Sequence, residues 1–227
     1  MNIIKENLQK NWDKSFKNLD NFLLYPNEHL IRFVNKFINK RKKITLKKNK
    51  KKCLDLGSGS GRHLIYLYEN GFNVSGIDIS KEAINQAKKI LKLKKIKKKK
   101  INILHCSTTS MNFKDKKFDF CVSHGTLDSM MSEDADKTIK EVYRILKIGG
   151  FFYVDLISNK VKNKGKFINN YDQIISTKHE KGTIQSYFTI NRIKRNFKIF
   201  KTIEINKVTI SSKKKILDQR YHCVFKR

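Results

Sequence analysis

Three glycines at every second position follow a short apolar segment in the first third of the chain. Residues 53–61 read Cys-Leu-Asp-Leu-Gly-Ser-Gly-Ser-Gly. Because Gly57, Gly59 and Gly61 carry no Cβ, a ligand can approach the bare backbone of a strand-to-helix turn, at the N-terminus of the following helix. The spacing therefore predicts a site for a nucleotide-like ligand, although such glycines also occur in ordinary tight turns.

An acidic residue ends the next apolar segment, residues 76–79, which read Gly-Ile-Asp-Ile. Asp78 follows Asp55 by 23 residues, the kind of separation at which a carboxylate can accept hydrogen bonds from both hydroxyls of a ribose. The simpler alternative is that Asp78 only caps the helix that follows the strand. The combination of glycine turn and acid favours the ribose interpretation.

The position of the third glycine distinguishes two classes of ligand. A dinucleotide-binding fingerprint, G-x-G-x-x-G, would place this glycine at position 62. Position 62 is Arg62, and the third glycine comes one residue earlier, at Gly61. A nicotinamide-dependent oxidoreductase is therefore disfavoured.

Two later segments complete the pattern that the glycine turn begins. Residues 118–123 read Phe-Asp-Phe-Cys-Val-Ser, and residues 146–153 read Leu-Lys-Ile-Gly-Gly-Phe-Phe-Tyr. In this order the sequence resembles the class I S-adenosylmethionine-dependent methyltransferases over about residues 50–157. The D-x-G-x-G-x-G turn, strand-end acid, F-D-x-V strand and L-K-P-G-G turn of that family are matched by Asp55–Gly61, Asp78, Phe118–Ser123 and Leu146–Tyr153.

The resemblance implies that S-adenosylmethionine is the methyl donor and suggests which residues bind it. Asp55 would order the turn or reach the donor's ammonium group through water, Asp78 would hold the ribose, and Ile79 would lie against the adenine. The predicted donor-binding residues are Asp55, Gly57, Ser58, Gly59, Gly61, Asp78, Ile79, Ser107, Thr108 and His124.

Two positions depart from the family's pattern. Ile148 stands where the last motif has proline, which costs the turn some rigidity because proline pre-sets φ. Many members also place an acid against the adenine amine, in a segment that corresponds to Cys106–Thr109, and no acid occurs there. Ser107 is the predicted replacement as a hydrogen-bond partner.

The turn at residues 124–128, His-Gly-Thr-Leu-Asp, carries the candidates for action on the methyl acceptor. Ligands of open α/β sheets bind at the carboxyl ends of the strands. His124 and Asp128 are therefore predicted to orient the acceptor or to remove a proton from its attacking oxygen or nitrogen. The alternative is that His124 contributes only backbone to the donor site and Asp128 only caps the next turn.

Residues outside this core are weaker candidates. Trp12 and Tyr25 could close the pocket from predicted cap helices, although aromatic residues of amphipathic helices more often pack in the core. His179, Glu180 and Gln185 could line the acceptor side.

The chain is strongly basic, with a formal net charge of +31 from 51 Lys and Arg against 20 Asp and Glu. Such a charge is typical of nucleic-acid-binding proteins. Only eight of the basic residues are Arg, however, and the abundant Lys, Asn and Ile have codons rich in A and T. The lysine runs at residues 40–52 and 88–100 contain no aromatic residue that could stack on bases. Base composition therefore explains the charge better than a dedicated RNA groove.

Cysteine usage and hydropathy indicate the cellular compartment in which the protein is expected. Cys53, Cys106, Cys121 and Cys223 show no C-x-x-C spacing, so we expect reduced, mostly buried thiols and no metal site. No apolar run approaches the ~20 residues of a membrane span, and the first residues lack the pattern of a secretory signal. These features predict a cytoplasmic location, and nothing in the sequence determines the oligomeric state.

Alternating strands and helices predict an α/β fold with a Rossmann-like, doubly wound sheet. The predicted strands are residues 52–56, 73–77, 101–106, 118–123 and 150–157, and the helices between them are residues 61–70, 81–93 and 133–146. Ser80 and Ser132 stand where helix N-caps are expected.

The two ends of the chain flank this core. Residues 11–39 show helical spacing in two pieces and predict cap helices. After a short helix that ends near Lys198, residues 201–211 and 218–225 predict an antiparallel hairpin that completes the sheet. We expect a single methyltransferase domain over residues 1–227, with cap helices in 1–45, the donor-binding core in 50–157 and the C-terminal helix and hairpin in 158–227.

The leading functional hypothesis is transfer of a methyl group to a small-molecule acceptor, such as a metabolite or a sugar or lipid precursor, by in-line displacement. The core fills nearly the whole chain and leaves little to recognise a macromolecule. The main alternative is an RNA methyltransferase that uses the basic surface for phosphate contacts, although residues 123–127 lack the N-P-P-Y-type loop of base-amine methylation. A catalytically silent donor-binding subunit is the third possibility.

Overall fold

Ten strands and six α-helices lie in the part of the chain that the computed structural model describes, residues 2–19, 22–39, 51–96, 101–161, 163–213 and 215–227. The strands are β1 (Lys52–Leu56), β2 (Asn73–Asp78), β3 (Ile101–His105), β4 (Phe118–Ser123), β5 (Leu146–Ile157), β6 (Gly165–Phe167), β7 (Asp172–Ile175), β8 (Ile184–Ser186), β9 (Lys201–Ser212) and β10 (Lys215–Lys226). The helices are α1 (Asn2–Lys17), α2 (Glu28–Phe33), α3 (Arg62–Glu69), α4 (Lys81–Leu93), α5 (Ser132–Ile145) and α6 (Ile190–Asn196). A π-helical turn, Val34–Ile38, continues α2, and a 3-10 turn, Lys178–Glu180, precedes β8.

Seven of the strands form one sheet in the order β3-β2-β1-β4-β5-β10-β9. Strands β1 to β5 pair in parallel, whereas β10 runs antiparallel to both of its neighbours. The strand order reverses between β1 and β4, and in open α/β sheets the crevice at such a reversal binds ligands. The predicted fold class, a Rossmann-like, mostly parallel sheet with a C-terminal antiparallel hairpin, is confirmed.

The central strands are covered on both faces, which explains why they are almost wholly apolar. Cys53 and Leu54 are adjacent in β1 but belong to different hydrophobic clusters, because successive side chains of a strand point to opposite faces. Leu64 of α3 packs in the cluster of Cys53, and Ile139 of α5 packs in the cluster of Leu54. The two layers of helices thus fix the sheet that carries the crevice.

Most predicted elements lie within a few residues of the observed ones, and β1, β4 and α4 have the predicted bounds. Ser80 caps α4, since its hydroxyl accepts a hydrogen bond from the Ala83 N–H at 3.1 Å. The prediction for Ser132 is wrong. Ser132 is the first residue of α5, Met131 occupies the cap position, and the Ser132 hydroxyl donates to Asp172 Oδ2 at 2.7 Å.

A second sheet, of β6, β7 and β8 in antiparallel order, lies in a region where only connecting chain was expected. Each of these strands has three or four residues, which is too short to produce a recognisable alternation of apolar and polar residues. The finishing hairpin is longer than predicted, and its strands close on a tight turn at Lys213. Two stretches of the lysine runs lie outside the described residues. They are residues 40–50 of the first run and residues 97–100 of the second.

The cysteines are free thiols, of which Cys53, Cys121 and Cys223 are buried and Cys106 is half-buried. Among the described residues, no helix is long and apolar enough to span a membrane. The same part of the chain holds no group of three or more His, Cys, Asp or Glu side chains arranged to bind a metal ion.

Candidate functional site

The glycine turn after β1 has the conformation that its residues require. Gly57, Gly59 and Gly61 have φ values of +62°, +53° and +91°, in the left-handed region that favours glycine. A Cβ on Gly57 would overlap the side chain of Thr126, and the Thr126 hydroxyl donates to the Leu56 carbonyl at 2.9 Å. The turn is therefore packed directly against the segment that follows β4.

Asp78 is fixed at the end of β2 by two backbone hydrogen bonds. Its Oδ2 accepts from the Gly59 N–H and its Oδ1 accepts from the Ser80 N–H, both at 2.8 Å. The carboxylate therefore joins the glycine turn to the start of α4. Each oxygen keeps a second lone pair, so the helix-capping contact and a ribose contact are compatible. Burial raises the pKa of Asp78, and the two N–H donors oppose that effect.

A cavity of about 100 Å³, which we call the Asp78 cavity, opens beside this carboxylate. The predicted residues Gly57, Asp78, Ile79 and Thr108 line it, and Trp12 and Phe16 of α1 line its other side. One acid among apolar and aromatic walls suits a nucleoside, which presents hydroxyls at one end and a flat base at the other.

Ser107 lies apart from these residues. It is exposed, and its hydroxyl is 2.8 Å from that of Thr109. The neighbouring Thr108 is buried, lines the Asp78 cavity and exchanges a hydrogen bond with Thr138 at 2.8 Å. Of the two predicted residues after β3, Thr108 is therefore the one in place to meet a base.

Asp55 is a buried carboxyl without a partner. It is 1% exposed, and neither carboxylate oxygen has a hydrogen-bond partner among the described residues. Burial raises the pKa of Asp55 from 3.8 to about 8, against the opposing charge of Arg62. The Ser58 hydroxyl, in the turn that follows, also has no partner in the described part of the chain. Because such groups cost free energy, this end of the turn is suited to a ligand that supplies donors or positive charge.

A second cavity, of about 230 Å³, adjoins the first and shares Trp12, Phe16 and Gly57 with it. We call it the Arg220 cavity. Its polar side chains include both predicted acceptor residues, and they are Ser58, Ser60, Arg62, His63, His124, Asp128, Ser129, Glu180, Gln185 and Arg220. The structure therefore brings His124 and Asp128 together with the weaker candidates Glu180 and Gln185.

Arg220 of β10 lies between two buried carboxylates. Its Nη2 donates to Asp128 Oδ2 at 2.5 Å and its Nε donates to Asp155 Oδ2 at 2.7 Å. Burial alone would raise the pKa of Asp155, but Arg220, His124 and the Gly125 N–H outweigh it and hold the pKa well below its ordinary value. At Asp128 burial prevails and raises the pKa to about 6.

His124 is held through both ring nitrogens. Arg62 Nη2 lies 3.3 Å from its Nδ1, and Asp155 Oδ2 lies 3.5 Å from its Nε2. Since a guanidinium can only donate, Nδ1 is assigned as the acceptor and Nε2 as the protonated nitrogen. Burial lowers the pKa of His124. The accepting nitrogen is already engaged, which favours an orienting role for the ring over removal of a proton.

Sequence reasoning missed Arg220 and Asp155. Both stand inside strands that are otherwise rich in apolar residues, within Phe151–Ile157 and Arg220–Phe225. Buried charges in proteins are usually paired. The opposite charges of Arg220 and Asp155, in two strands of one predicted sheet, were therefore the signal that could have identified this pair. Sequence reasoning used Arg62 only as the residue that stands where a dinucleotide-binding fingerprint has its third glycine, and did not predict its contact with His124.

Helix α1 lines both cavities, and the segment before β8, which is bonded to it, lines the Arg220 cavity through Glu180. We call these two elements the roof. The Asn11 side chain donates to the Gly182 carbonyl at 2.7 Å, and the Ser15 hydroxyl donates to the His179 carbonyl at 2.6 Å. Trp12 is half-buried and lines both cavities, so it lies at the pocket and not in the core that its helical spacing favoured. Tyr25 is 82% exposed and belongs neither to the pocket nor to the core.

Solved structures share this architecture. An S-adenosylmethionine-dependent methyltransferase of Methanosarcina mazei superposes with a TM-score of 0.70 at 22% identity, over 84% of this chain and 96% of that one. The PH0226 protein of Pyrococcus horikoshii superposes with a TM-score of 0.66 at 19% identity, over 89% of this chain and 92% of that one. At such identities the likeness concerns the fold.

Curated relatives match about half of the chain. The human eEF1A lysine and N-terminal methyltransferase is 30% identical over 111 residues, which are 45% of this chain and 16% of that protein. Its Drosophila melanogaster homologue is 29% identical over 49% of this chain and 18% of that protein. An uncharacterized methyltransferase of Synechocystis is 31% identical over 46% of this chain and 47% of that protein. The chain thus spans less than a fifth of the length of the eEF1A methyltransferases that it matches.

A family model covers more of the sequence. Residues 47–217, well over half of the chain, match the model described as a methyltransferase domain. This match includes the glycine turn, Asp78, the turn after β4 and β9. Together with the sheet order and the two cavities, it shows that the chain belongs to the methyltransferase domain family, as a class I domain whose cofactor is S-adenosylmethionine.

Proposed function

We propose that this chain transfers a methyl group to a small-molecule acceptor held in the Arg220 cavity. The main support for this proposal is the position of helix α1 and the segment before β8 over the Arg220 cavity. Helix α1 is bonded to Gly182 and to His179 across the mouth of the site, so that the space beside the glycine turn has the dimensions of a small molecule. A folded macromolecule could insert only a single side chain or base.

The residues around the Asp78 cavity fit S-adenosylmethionine. Asp78 would hold the ribose, Ile79 and Thr108 would meet the adenine, and the bare backbone at Gly57 would admit the methionyl part. Asp55 and Ser58, whose side-chain oxygens have no hydrogen-bond partner among the described residues, would meet its ammonium group directly or through water. When bound, the cofactor supplies a methyl group on a sulfonium, which is itself the leaving group.

The protein's own contribution is alignment and exclusion of water. His124, fixed between Arg62 and Asp155, and Asp128, fixed by Arg220, would orient the acceptor toward the Asp78 cavity. Trp12 and Phe16 of α1 would exclude water from both cavities. Correct placement of two reactants is worth up to ~7–11 kcal/mol of a reaction barrier, which is sufficient reason for so rigid a site.

A protein amine is the second candidate acceptor. It is favoured by the printed names of the eEF1A relatives, which describe lysine and N-terminal methylation. A lysine side chain is thin enough to reach the Arg220 cavity between α1 and the segment before β8. RNA is less well supported, because carboxylates line the cavity and would repel phosphates.

Label transfer distinguishes these acceptors. The purified protein would be incubated with methyl-labelled S-adenosylmethionine and an extract of the source cells, which is then separated into small molecules, protein and nuclease-sensitive material. We expect label in the small-molecule fraction, lost in Asp78→Ala and retained in Glu69→Ala, which removes an exposed acid instead. Label in protein or RNA, or no label in any fraction, would overturn the small-molecule proposal.

A further inference from the structure

Acidic side chains gather at the two cavities of a chain whose net charge is +31. Asp55 and Asp78 belong to the donor side. On the acceptor side, the carboxyls of Asp128, Asp155 and Glu180 face the guanidiniums of Arg62 and Arg220. Three ionised carboxylates against two guanidiniums leave one negative charge uncompensated.

Asp128 has accepting capacity that the protein does not use. It is 1% exposed and lines the Arg220 cavity. Its Oδ2 accepts from Arg220 and, at 2.9 Å, from the Ile157 N–H. Its Oδ1 is buried and has no hydrogen-bond partner among the described residues. A buried oxygen of this kind is costly unless a ligand donates to it.

Glu180 lines the same cavity from the roof. Its side chain is 24% exposed, and His179 Nε2 lies 4.0 Å from its Oε2. Within the described part of the chain, no hydrogen bond to its carboxylate is present. Burial raises the pKa of Glu180, in the same direction as that of Asp128. Two carboxyls that can accept further hydrogen bonds therefore line one cavity, Asp128 from the turn after β4 and Glu180 from the roof.

We infer that the methyl acceptor is an amine, which enters the Arg220 cavity as an ammonium ion and is held there by Asp128 and Glu180. This inference deepens the proposed function and rests on its placement of the acceptor in that cavity. An ammonium ion offers positive charge and several N–H donors to the two carboxylates, whereas a hydroxyl offers a single donor. A carboxylate or phosphate acceptor would meet like charges, since Arg220 is already neutralised by its two aspartates.

The reaction of such an acceptor balances without a further reagent. The ammonium gives one proton to the Asp128 carboxylate and becomes a neutral amine with a free lone pair. That lone pair forms the new N–C bond, while the C–S bond breaks and its electron pair stays on sulfur. The product leaves as a methylammonium ion, and the proton on Asp128 passes to water when the roof opens, so one proton is released for each methyl group.

Chemical blocking of amines tests the inference without knowledge of the acceptor. One aliquot of cell extract is acetylated with N-hydroxysuccinimidyl acetate and quenched with hydroxylamine, which also restores acylated hydroxyls, and a matched aliquot receives quenched reagent. We expect acetylation to lower label transfer by at least about tenfold, since a site built for a polar group rejects analogues that lack it. The labelled product should bind to a cation exchanger and keep its label in alkali.

Glu180→Gln provides the second measurement, with Glu69→Gln as a matched exposed control. For the labelled amine isolated above, we expect Glu180→Gln to raise KM about tenfold, which corresponds to about 1.4 kcal/mol, with an unchanged Kd for S-adenosylhomocysteine. A purely structural role would weaken both ligands together. Unchanged KM, or label that alkali releases as methanol, would overturn the inference.

The two proposals fail in different ways. Label in the small-molecule fraction that survives acetylation would keep the proposed function and overturn the amine. Label on protein that acetylation abolishes would keep the amine and overturn the small-molecule acceptor. Absence of transfer to any fraction would overturn both.

Discussion

The Asp78 cavity and the Arg220 cavity differ in the bonds that hold their carboxylates. Asp78 is held by backbone N–H groups of Gly59 and Ser80, which lie at most 19 residues away in the sequence. Asp128 and Asp155 also accept from backbone N–H groups, but the Arg220 side chain that joins them lies 92 and 65 residues away. A short segment can specify the first arrangement, whereas only the complete sheet can specify the second. Single side-chain substitutions can thus change the Arg220 cavity without altering the backbone contacts that hold Asp78.

Removal of the Arg220 charge should have the largest effect, and we expect it in the stability of the protein. Arg220→Gln leaves two buried carboxylates without a cation, and loss of one partner of a buried ion pair typically costs about 3–5 kcal/mol. We expect the free energy of unfolding in urea to fall by that amount. Arg32→Gln is the matched control, because Arg32 pairs with Glu28 at a side-chain exposure of 71%, and exposed ion pairs contribute little to stability. Similar losses in the two variants would refute a dependence of the Arg220 cavity on its buried cation.

The Asp78 cavity should respond in ligand affinity. Asp78→Ala removes the ribose partner and frees the Gly59 and Ser80 N–H groups, so we expect the Kd for S-adenosylhomocysteine to rise about 100-fold, or about 2.7 kcal/mol. Isothermal titration calorimetry would measure it. Asp128→Asn in the neighbouring cavity is the comparison and should leave this Kd nearly unchanged. Equal losses in both variants would show that the two cavities bind the donor as one unit.

Asp55 should make the stability of the ligand-free protein depend on pH. The pKa of its folded form, about 8, lies above the ordinary 3.8, so the folded chain holds this proton more tightly than the unfolded chain. The free energy of unfolding therefore falls as the pH rises between those two values. We expect Asp55→Asn to remove this component and to stabilise the protein by about 1–3 kcal/mol near the upper value.

The same substitution should weaken binding of S-adenosylhomocysteine, because an amide cannot neutralise its ammonium group. Thermal unfolding at a series of pH values, in wild type, Asp55→Asn and the exposed control Asp115→Asn, would measure the stability effect. Parallel pH profiles for all three proteins would contradict the assignment of the raised pKa to Asp55.

The small sheet beside the Arg220 cavity should show the smallest effect. The Tyr187 hydroxyl donates to Gln173 Oε1 at 2.6 Å and accepts from the Asn163 N–H at 3.0 Å. Tyr187→Phe should weaken this sheet by about 1 kcal/mol and speed hydrogen exchange in β7 and β8, with donor affinity unchanged. Tyr171→Phe is the control. A higher Kd for the donor in Tyr187→Phe would show that the small sheet also shapes the Asp78 cavity.

The elements that sequence reasoning predicted well carry their own local signals. β1 and β4 are short strands that are rich in apolar residues, and α4 has a serine cap and a regular amphipathic pattern. The glycine turn and Asp78 belong to the same class, because backbone conformation at Gly57 restricts the residue type directly. The position of the glycine turn and of Asp78 beside one cavity could therefore be predicted, while their roles in donor binding stay predictions, and Ser107 lies apart from that cavity.

The acceptor side carried no such signals. β6 to β8 are too short to show periodicity, and Ser132 looked like a cap because a bond from its hydroxyl to Asp172, 40 residues later, cannot be read locally. Arg220 reaches Asp128 only because β10 inserts beside β5. Contacts of this range depend on strand order, so a single sequence predicts the residue types of the site but not their partners.

Helix α1 has a kinetic consequence, since it lines both cavities and is fastened largely by polar contacts. Asp13 accepts from the Ser80 hydroxyl and the Glu82 N–H, at 2.7 and 3.1 Å, and Asn11 and Ser15 hold the opposite side. Bonds worth about 1 kcal/mol each allow this helix to lift while the sheet stays folded. We expect spent cofactor and methylated product to leave in the same opening, whose frequency would then set the upper limit on turnover.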